Sequence, residues 1–537
     1  MLSGSFATQA AKQLEFQTFF KSLNAFTSVK SDTNALKAAA KEADERQRLG
    51  HLKSPIDGYL IGVKDNICTT DLHSTCASKI LHGFTSPYAA TIVKKLEGAG
   101  ASILGKTNLD EFGMGSHSTF STYGPVQRGR GLPRHLSSKE ALSAGGSSGG
   151  SAVAVATGQC IAALGTDTGG SVRLPAAYNG IVGFKPSYGL ISRYGVVAYA
   201  NSLDTVGIFA EKSEEVQKVF DTINGYDPRD PTSVGTSTRG RIAAAQLKTH
   251  EQRRKSSQMH LRDRIQHEGL HIRKYECLRI GVPLEYNIKE LQPEVRAAWA
   301  KTLQRMSNQG HSVREVSLPA TKLALAAYYI IAPAEASSNL AKYDAVRYGQ
   351  DGLDSGVSRD VLYSDVRGEG LGEEVQRRII LGAYSLSASA IDNYFIQAQR
   401  VRRIVQRDFD SIFALRNPLV TKGYEISLDG VDILIAPTAP SMAPRLVDVE
   451  SRSSLNSYSD DVLTVPASLA GLPAISVPFH PESKRPISNA DMDNAIGMQV
   501  IGQYGDDEMV LHAAQLLERS WRNEGYLEDM SKRSRSG

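Results

Sequence analysis

Two clusters of glycine and serine, GGSSGGS at residues 145–151 and TDTGGS at residues 166–171, are separated by a small-residue segment and a short apolar run, AVAVATGQCIAALG. A serine hydroxyl both donates and accepts hydrogen bonds, and glycine lets a ligand approach backbone N–H groups closely. Two such loops read as an active site built from hydroxyls and main-chain amides. Flexible linkers would not be joined by apolar, patterned sequence. A hydroxyl is a weak nucleophile, so nucleophilic chemistry at such a site needs a base, donors for the developing negative charge and a proton route to the leaving group. No histidine adjoins either loop in sequence. A lysine can serve as base only when neutral, which burial favours by lowering its pKa. Lys64 stands at the end of the apolar run YLIGV (residues 59–63). Lysine is rarely buried unpaired, and the alternative is a side chain that snorkels to the surface.

The elements that must hold these residues are legible in outline. Asn34–Leu49 predicts an exposed amphipathic helix, Tyr59–Val63 a strand, Tyr88–Gly98 a helix and Ala101–Leu104 a strand. Strand, helix and strand in that order predict a βαβ unit, and loops at the carboxyl ends of such strands are where open α/β sheets bind ligands. Ser151–Thr157 reads as a helix start, Cys160–Leu164 as a buried strand delivering TDTGGS, and Val172–Tyr178 as the next helix. Ser171 then sits near a helix N-terminus, where N–H groups favour negative charge. Further on, CLRIGVP resumes a core strand at Cys277, Glu294–Gln309 is helix and His311–Leu318 strand. Glu373–Ala383 and Ser385–Phe409 are helical, and Val431–Pro437 is a buried strand. Asp461–Pro473 and Ala474–Pro478 are expected to complete the sheet, with Ile496–Ile501 and Glu508–Glu518 as last strand and helix. Adjacent carboxylates at Asp110 and Glu111 face different ways on a helix and read as structural; Asp167 reads as a tether for its loop.

Bulk properties exclude more than they assign. Hydrophobic residues make up 41% of the 537, enough for a large core, and the net charge of +4 names no partner. No apolar run reaches the length needed to span a bilayer. Cys68, Cys76, Cys160 and Cys277 form no CxxC pair and no ligand-like cluster, which points to a reducing compartment and no structural metal. The charge is uneven: residues 239–275 hold ten Lys/Arg against three acids, a local +7 that leaves the rest of the chain at −3. This stretch reads as a basic surface insertion; the alternative explanation is contact with RNA or a partner subunit. Residues 145–149 formally match G-x-S-x-G, but the SSKEALSA before them is no strand, so the hydrolase elbow is rejected. Neither glycine loop carries the G-K-[ST] ending of a phosphate-binding loop.

The stretch from Gly145 to Lys185, with GVKDNICTT upstream, strongly resembles the signature of the amidase-signature hydrolases, and the resemblance runs from about Ile56 to near the C-terminus. It implies that family's α/β fold: one domain over residues 1–537, a large mixed sheet sandwiched between helices. N-terminal helices are expected in residues 1–50, and a helical cap bearing substrate residues in 326–409. It implies a Ser–cis-Ser–Lys triad with Ser171 as nucleophile, Ser147 as bridging serine after a cis peptide, and Lys64 as base. Backbone N–H groups of Thr168, Gly169, Gly170 and Ser171 are expected to form the oxyanion hole.

Within the family, the segment 326–349 resembles the glutaminase subunits of tRNA-dependent amidotransferases. That implies glutamine as substrate, with Arg378 for its carboxylate, Asp461 for its ammonium and a hydroxyl contact from Tyr328. Tyr329 and Arg377, one position away, stay open as alternatives. It implies no cofactor or metal in this chain, with ATP and Mg expected on a partner subunit. The partners would be the B subunit of such an enzyme, its C subunit or an equivalent, and Glu-tRNA(Gln) reached through the complex, with no membrane contact. The first 26 residues have no acid before Glu15 but also no arginine. The expected location is the mitochondrial matrix, with the cytoplasm as alternative. A stand-alone amidase on small amides and a non-catalytic scaffold are the competing functions.

Overall fold

The protein is described here by a computed structural model covering residues 4–128, 141–248, 277–344, 348–349, 364–420, 427, 429–451, 458–479 and 495–533. Eleven strands among the described residues form one sheet. In chain order they are β1 (Phe26–Val29), β2 (Leu60–Lys64), β3 (Ser102–Thr107), β4 (Ala162–Asp167), β5 (Val182–Lys185) and β6 (Thr205–Ala210), then β7 (Arg279–Pro283), β8 (Ser312–Val316), β9 (Ile433–Pro437), β10 (Ala474–Phe479) and β11 (Ile496–Gly502). Across the sheet the order is β1-β3-β2-β4-β6-β5-β10-β11-β9-β7-β8. The pairs β2–β3, β2–β4, β7–β8 and β7–β9 are parallel and the others antiparallel, so the sheet is mixed as expected. Central strands such as β2, β4, β6, β9 and β11 are buried along their whole length. That is why they read as near-continuous apolar runs rather than alternating ones: both faces are covered.

The covering helices are α1 (Phe6–Phe19), α2 (Thr33–Arg48), α3 (Thr91–Gly98), α4 (Gly149–Ala156), α5 (Arg173–Asn179), α6 (Ser213–Ile223) and α7 (Pro293–Asn308). They continue with α8 (Thr321–Leu340), α9 (Ser364–Gly370), α10 (Glu373–Ser385), α11 (Phe395–Ile412), α12 (Leu446–Glu450), α13 (Val465–Leu469) and α14 (Asp507–Arg533). Local chemistry sets several ends. The Asp32 carboxylate accepts from Ala35 N at 2.9 Å and caps α2, and α5 stops at Gly180, which turns with φ of +64°. The expected β2-α3-β3 unit is present with parallel strands. One hydrophobic core runs from Ile56 to Leu517, and a second, smaller one lies under α1, α2 and α4.

Four expectations need correction. The N-terminal fifty residues are not only helices, because Phe26–Val29 adds an edge strand to β3. Residues 461–473 are not strand: a 3₁₀ turn at Ser459–Asp461 and helix α13 occupy them, and only Ala474–Phe479 joins the sheet. Small residues and two prolines in an apolar run defeat periodicity as a guide there. Helix α3 begins at Thr91 rather than Tyr88, and β3 extends to Thr107, taking the start of what reads as a loop. The opening of the basic segment is a helix with one face packed and the other exposed. Residues 236–248 are helical, Ile242 and Ala245 are buried, and the Arg239 guanidinium donates to the carbonyls of Leu190 and Val234 and to Asn224 Oδ1. Residues 249–276 lie outside the described residues, as do residues 129–140 before the first glycine cluster.

Helix α8 packs against α10 and α11. The α8–α10 contact is close because Gly382 faces the Pro333 carbonyl, where a Cβ would come within 2.0 Å of the oxygen. This helical layer covers the end of the sheet at which β2 and β4 terminate, through contacts from α8 to the loop after β4.

Candidate active site

Lys64 is the last residue of β2, between β3 and β4 in the sheet. Its side chain is fully buried. Nζ lies 2.8 Å from Ser147 Oγ, 2.8 Å from Ser148 Oγ and 2.9 Å from Thr166 Oγ1. Burial lowers its pKa to about 7, against the opposing pull of the Asp110, Asp167 and Asp204 carboxylates. A neutral amine can accept a proton from one of these hydroxyls, which an ammonium cannot.

The two glycine loops converge on this amine. The first turns into α4 with a cis peptide between Gly146 and Ser147. The second follows β4 and leads into α5. They are joined directly, because Ser148 N donates to the Ser171 carbonyl at 3.2 Å. Ser147 is buried, and Ser171 is 8% exposed. The main-chain amides of Gly169, Gly170 and Ser171 donate to no protein acceptor among the described residues, and they are followed by the start of α5. The loop is held from both sides. Thr168 Oγ1 donates to Asp204 Oδ1 at 2.7 Å, and Thr464 Oγ1 donates to the Gly169 carbonyl at 2.7 Å. Gly169 must lack a side chain: a Cβ would stand 2.6 Å from Tyr328 Cζ.

Asp167 is a tether. Burial opposes its ionisation, but the Arg173 guanidinium more than compensates and holds its carboxyl below the usual range. Arg173 pairs with it at 3.0 and 2.9 Å, and also donates to Thr464 O, Gln499 Oε1 and Ser468 Oγ. Asp110 and Glu111 are structural too. Asp110 accepts from Ser118 N and Phe120 N at 2.8 and 3.0 Å, and Glu111 accepts from Gly372 N at 2.7 Å and from Ser78 Oγ.

The residues expected to meet substrate come together from α8, α10 and the turn before α13. Tyr328 is buried against Gly169. Tyr329, left open as its alternative, is also present: its hydroxyl is 3.4 Å from Asp461 Oδ2 and its ring stacks on Tyr458 at 4.0 Å. Arg377 and Arg378 differ in burial. Arg378 is buried, donates to Glu374 Oε1 and Tyr199 OH at 2.8 and 2.7 Å, and has the rings of Tyr199, Tyr329 and Tyr458 around its guanidinium. The Arg377 side chain is 42% exposed and pairs with Glu374 from outside. Asp461 is buried, accepts from Ser116 Oγ at 2.7 Å, and is raised to about 6 by burial. Tyr328 and Asp461 stand against the glycine loop, with Tyr329 beside Asp461 and Arg378 beside Tyr329; a carboxylate, a guanidinium and two phenols are a set that fits a zwitterionic amino acid.

Sequence reasoning missed several members of the site. Ser148 and Thr166 hold Lys64 as closely as Ser147 does, and both already stand in the glycine clusters. Tyr199, Glu374 and Tyr458 surround Arg378 but carry no local signal. The absence of a histidine beside the loops in sequence does not hold in space, since His117 Nδ1 is 2.9 Å from Ser143 Oγ at the start of the first loop. A further pattern escaped notice: residues 100–107, GASILGKT, formally match a phosphate-binding loop. Residues 102–107 of this run form strand β3, and Lys106 is buried, donating to Ser74 Oγ at 2.8 Å and to Ile67 O. These residues do not fit a nucleotide.

The chain was compared with known proteins. Residues 13–511 match the Amidase family. The A subunit of the mitochondrial glutamyl-tRNA(Gln) amidotransferase of Coccidioides posadasii is 53% identical over 526 residues, covering 96% of this chain and 99% of that one. Its counterpart in Emericella nidulans is 53% identical over 528 residues, covering 96% and 100%. The crystal structure of the A subunit of glutamyl-tRNA(Gln) amidotransferase from Thermotoga maritima superposes with a TM-score of 0.64 at 31% identity, covering 94% of this chain and 90% of that one. By its sequence and its fold, this chain belongs to the amidase family.

Proposed function

We propose that this chain is the glutamine-hydrolysing subunit of a tRNA-dependent amidotransferase, working in the mitochondrion. The observation that carries the chemistry is a buried lysine 2.8 Å from Ser147, in a loop bonded to that of Ser171. The substrate class rests on the likeness to the amidotransferase subunits and on the Arg378, Asp461 and tyrosine cluster.

In this reading glutamine lies with its carboxylate at Arg378, its ammonium at Asp461 and its carboxamide at Ser171, with Tyr328 and Tyr329 alongside. Ser171 Oγ attacks the carboxamide carbon. Its proton passes to Ser147 Oγ as Ser147 gives its own proton to neutral Lys64 Nζ. The oxyanion that forms is stabilised by the amides of Thr168, Gly169, Gly170 and Ser171. As the C–N bond breaks, the Lys64 proton returns through Ser147 to the departing nitrogen, which leaves as ammonia. Water attacks the glutamyl ester by the same relay, releasing glutamate and restoring Ser171. Ammonia then serves the partners, a B subunit with a C subunit or an equivalent, that convert Glu-tRNA(Gln) to Gln-tRNA(Gln). ATP and Mg belong to that partner step, in keeping with the buried, strand-forming GASILGKT run.

The test is ammonia release from glutamine by the purified chain, first by itself and then with partner subunits and charged tRNA. Release that rises with partners is the expected result. Turnover of simple amides with indifference to glutamine would overturn it in favour of a stand-alone amidase, and no turnover in any mixture would leave a scaffold. Ser171→Ala should lower glutamine hydrolysis by at least about 10³-fold, while transamidation driven by added ammonium salt persists. Full glutaminase activity in this variant would sink the triad.

A further inference from the structure

His117 is a buried titratable residue that the chemistry above does not use. It lies in the loop after β3, and its two ring nitrogens face opposite sides of the site. Nδ1 is 2.9 Å from Ser143 Oγ, and Nε2 is 3.0 Å from Asp460 Oδ2. Ser143 Oγ in turn accepts from Gly145 N at 3.0 Å, two residues before Ser147. His117 thus joins Asp460 on one side to Ser143 on the other, and the Ser143 oxygen also serves Gly145 N–H. The neighbours of His117 repeat the bridge. Ser116 Oγ donates to Asp461 Oδ2 at 2.7 Å. Ser118 Oγ donates to the Gly145 carbonyl and accepts from Gly149 N, both at 2.9 Å.

We propose that His117 is a positioning residue for the α-ammonium of the substrate: it fixes the Asp460–Asp461 turn against the serine loop, so that the ammonium site and the nucleophile keep one spacing. The inference rests on the glutamine reading above. Losing a hydrogen bond between two buried groups in this bridge frees the turn that carries Asp461, while Lys64, Ser147 and Ser171 keep their own contacts. The loss therefore falls on recognition of the ammonium, not on the triad. His117 is reached only through folding, since its partners are 26 and 343 residues away in sequence.

The experiment compares glutamine with 4-carbamoylbutanoate, which is glutamine without its α-amino group, in the assembled enzyme. Wild type, His117→Ala, His117→Gln and Asp460→Ala are assayed for kcat and KM on both. His117→Ala should lower the preference for glutamine by about tenfold through KM, as expected for a lost bond to a charged group. Turnover of 4-carbamoylbutanoate should be nearly unchanged. His117→Gln, which keeps an N–H for Asp460, should restore most of the preference, and Asp460→Ala should reproduce its loss. Equal losses on both substrates, or an unchanged preference in His117→Ala, would overturn the proposal. If His117→Ala does not fold, Asp460→Ala takes its place beside His117→Gln, and the same two outcomes decide. Wild-type enzyme that hydrolyses neither substrate would instead overturn the glutamine reading itself.

Discussion

Lys64 is one of three lysines buried near the sheet among the described residues, and its partners set it apart. Lys106 donates to a carbonyl and to Ser74 beside Asp65, and Lys185 donates to the carbonyls of Leu472 and Pro186. Burial also lowers Lys185 to about 7, so a depressed pKa by itself does not mark a base. Carbonyls only accept, so they hold a lysine as a donor; hydroxyls also donate, so they can pass a proton to it. This predicts the pH profile. In the proposed relay Lys64 is neutral when it accepts the proton, so kcat/KM for glutamine should fall as pH drops below about 7. In the same proposal Asp461 is ionised when it holds the ammonium, so KM should rise further as pH falls through about 6. Initial rates from acid to mildly alkaline pH, fitted separately for kcat and KM, check both. Lys64→Arg should be inactive throughout, because a guanidinium stays charged.

At the scale of elements, the site depends on Arg173, the first residue of α5. It joins the β4 end, through Asp167, to the main chain of Thr464 and to Ser468 on α13. That link fixes the Gly169–Ser171 loop relative to the turn bearing Asp461. Arg173 and Asp167 are both fully buried. Arg173→Met should therefore destabilise the protein by about 3–5 kcal/mol, because the Asp167 carboxylate is left unpaired. Urea unfolding with a constant m-value checks this. Arg173→Lys should recover little, since one ammonium cannot reach the several acceptors that a planar guanidinium serves. A loss below about 1 kcal/mol would mean that the ion pair is dispensable.

For the whole molecule, the proposed division of labour separates two activities. Glutamine hydrolysis by a hydroxyl relay and a lysine base uses no metal step, whereas activation of glutamate with ATP does. Chelation with EDTA should leave ammonia release unchanged and abolish Gln-tRNA(Gln) formation in the assembled enzyme, and adding Mg²⁺ should restore it. Loss of ammonia release with EDTA, recovered by metal, would contradict the relay. No helix among the described residues is long and apolar enough to cross a membrane.

The chain itself determined its chemistry where function is written in contiguous residues. GGSSGGS and TDTGGS point by themselves to hydroxyls and main-chain amides, whereas the lysine after YLIGV gains its role only through the family resemblance. The apolar runs of β2, β4, β9 and β11 were legible because strands buried on both faces need no polar alternation. Tertiary structure decided what depends on distant partners. It made helix of residues 465–469 inside an apolar run, added Phe26–Val29 as a sheet edge, and turned GASILGKT into a strand. It placed Arg378 rather than Arg377 inside, because helix rotation and the packing of α10 on α8 choose which side of the helix is buried. It also brought His117 to Ser143 and Asp460. Residue types and spacing can be read along the chain, but which side chains meet across hundreds of residues is fixed only when the sheet and its covering helices pack.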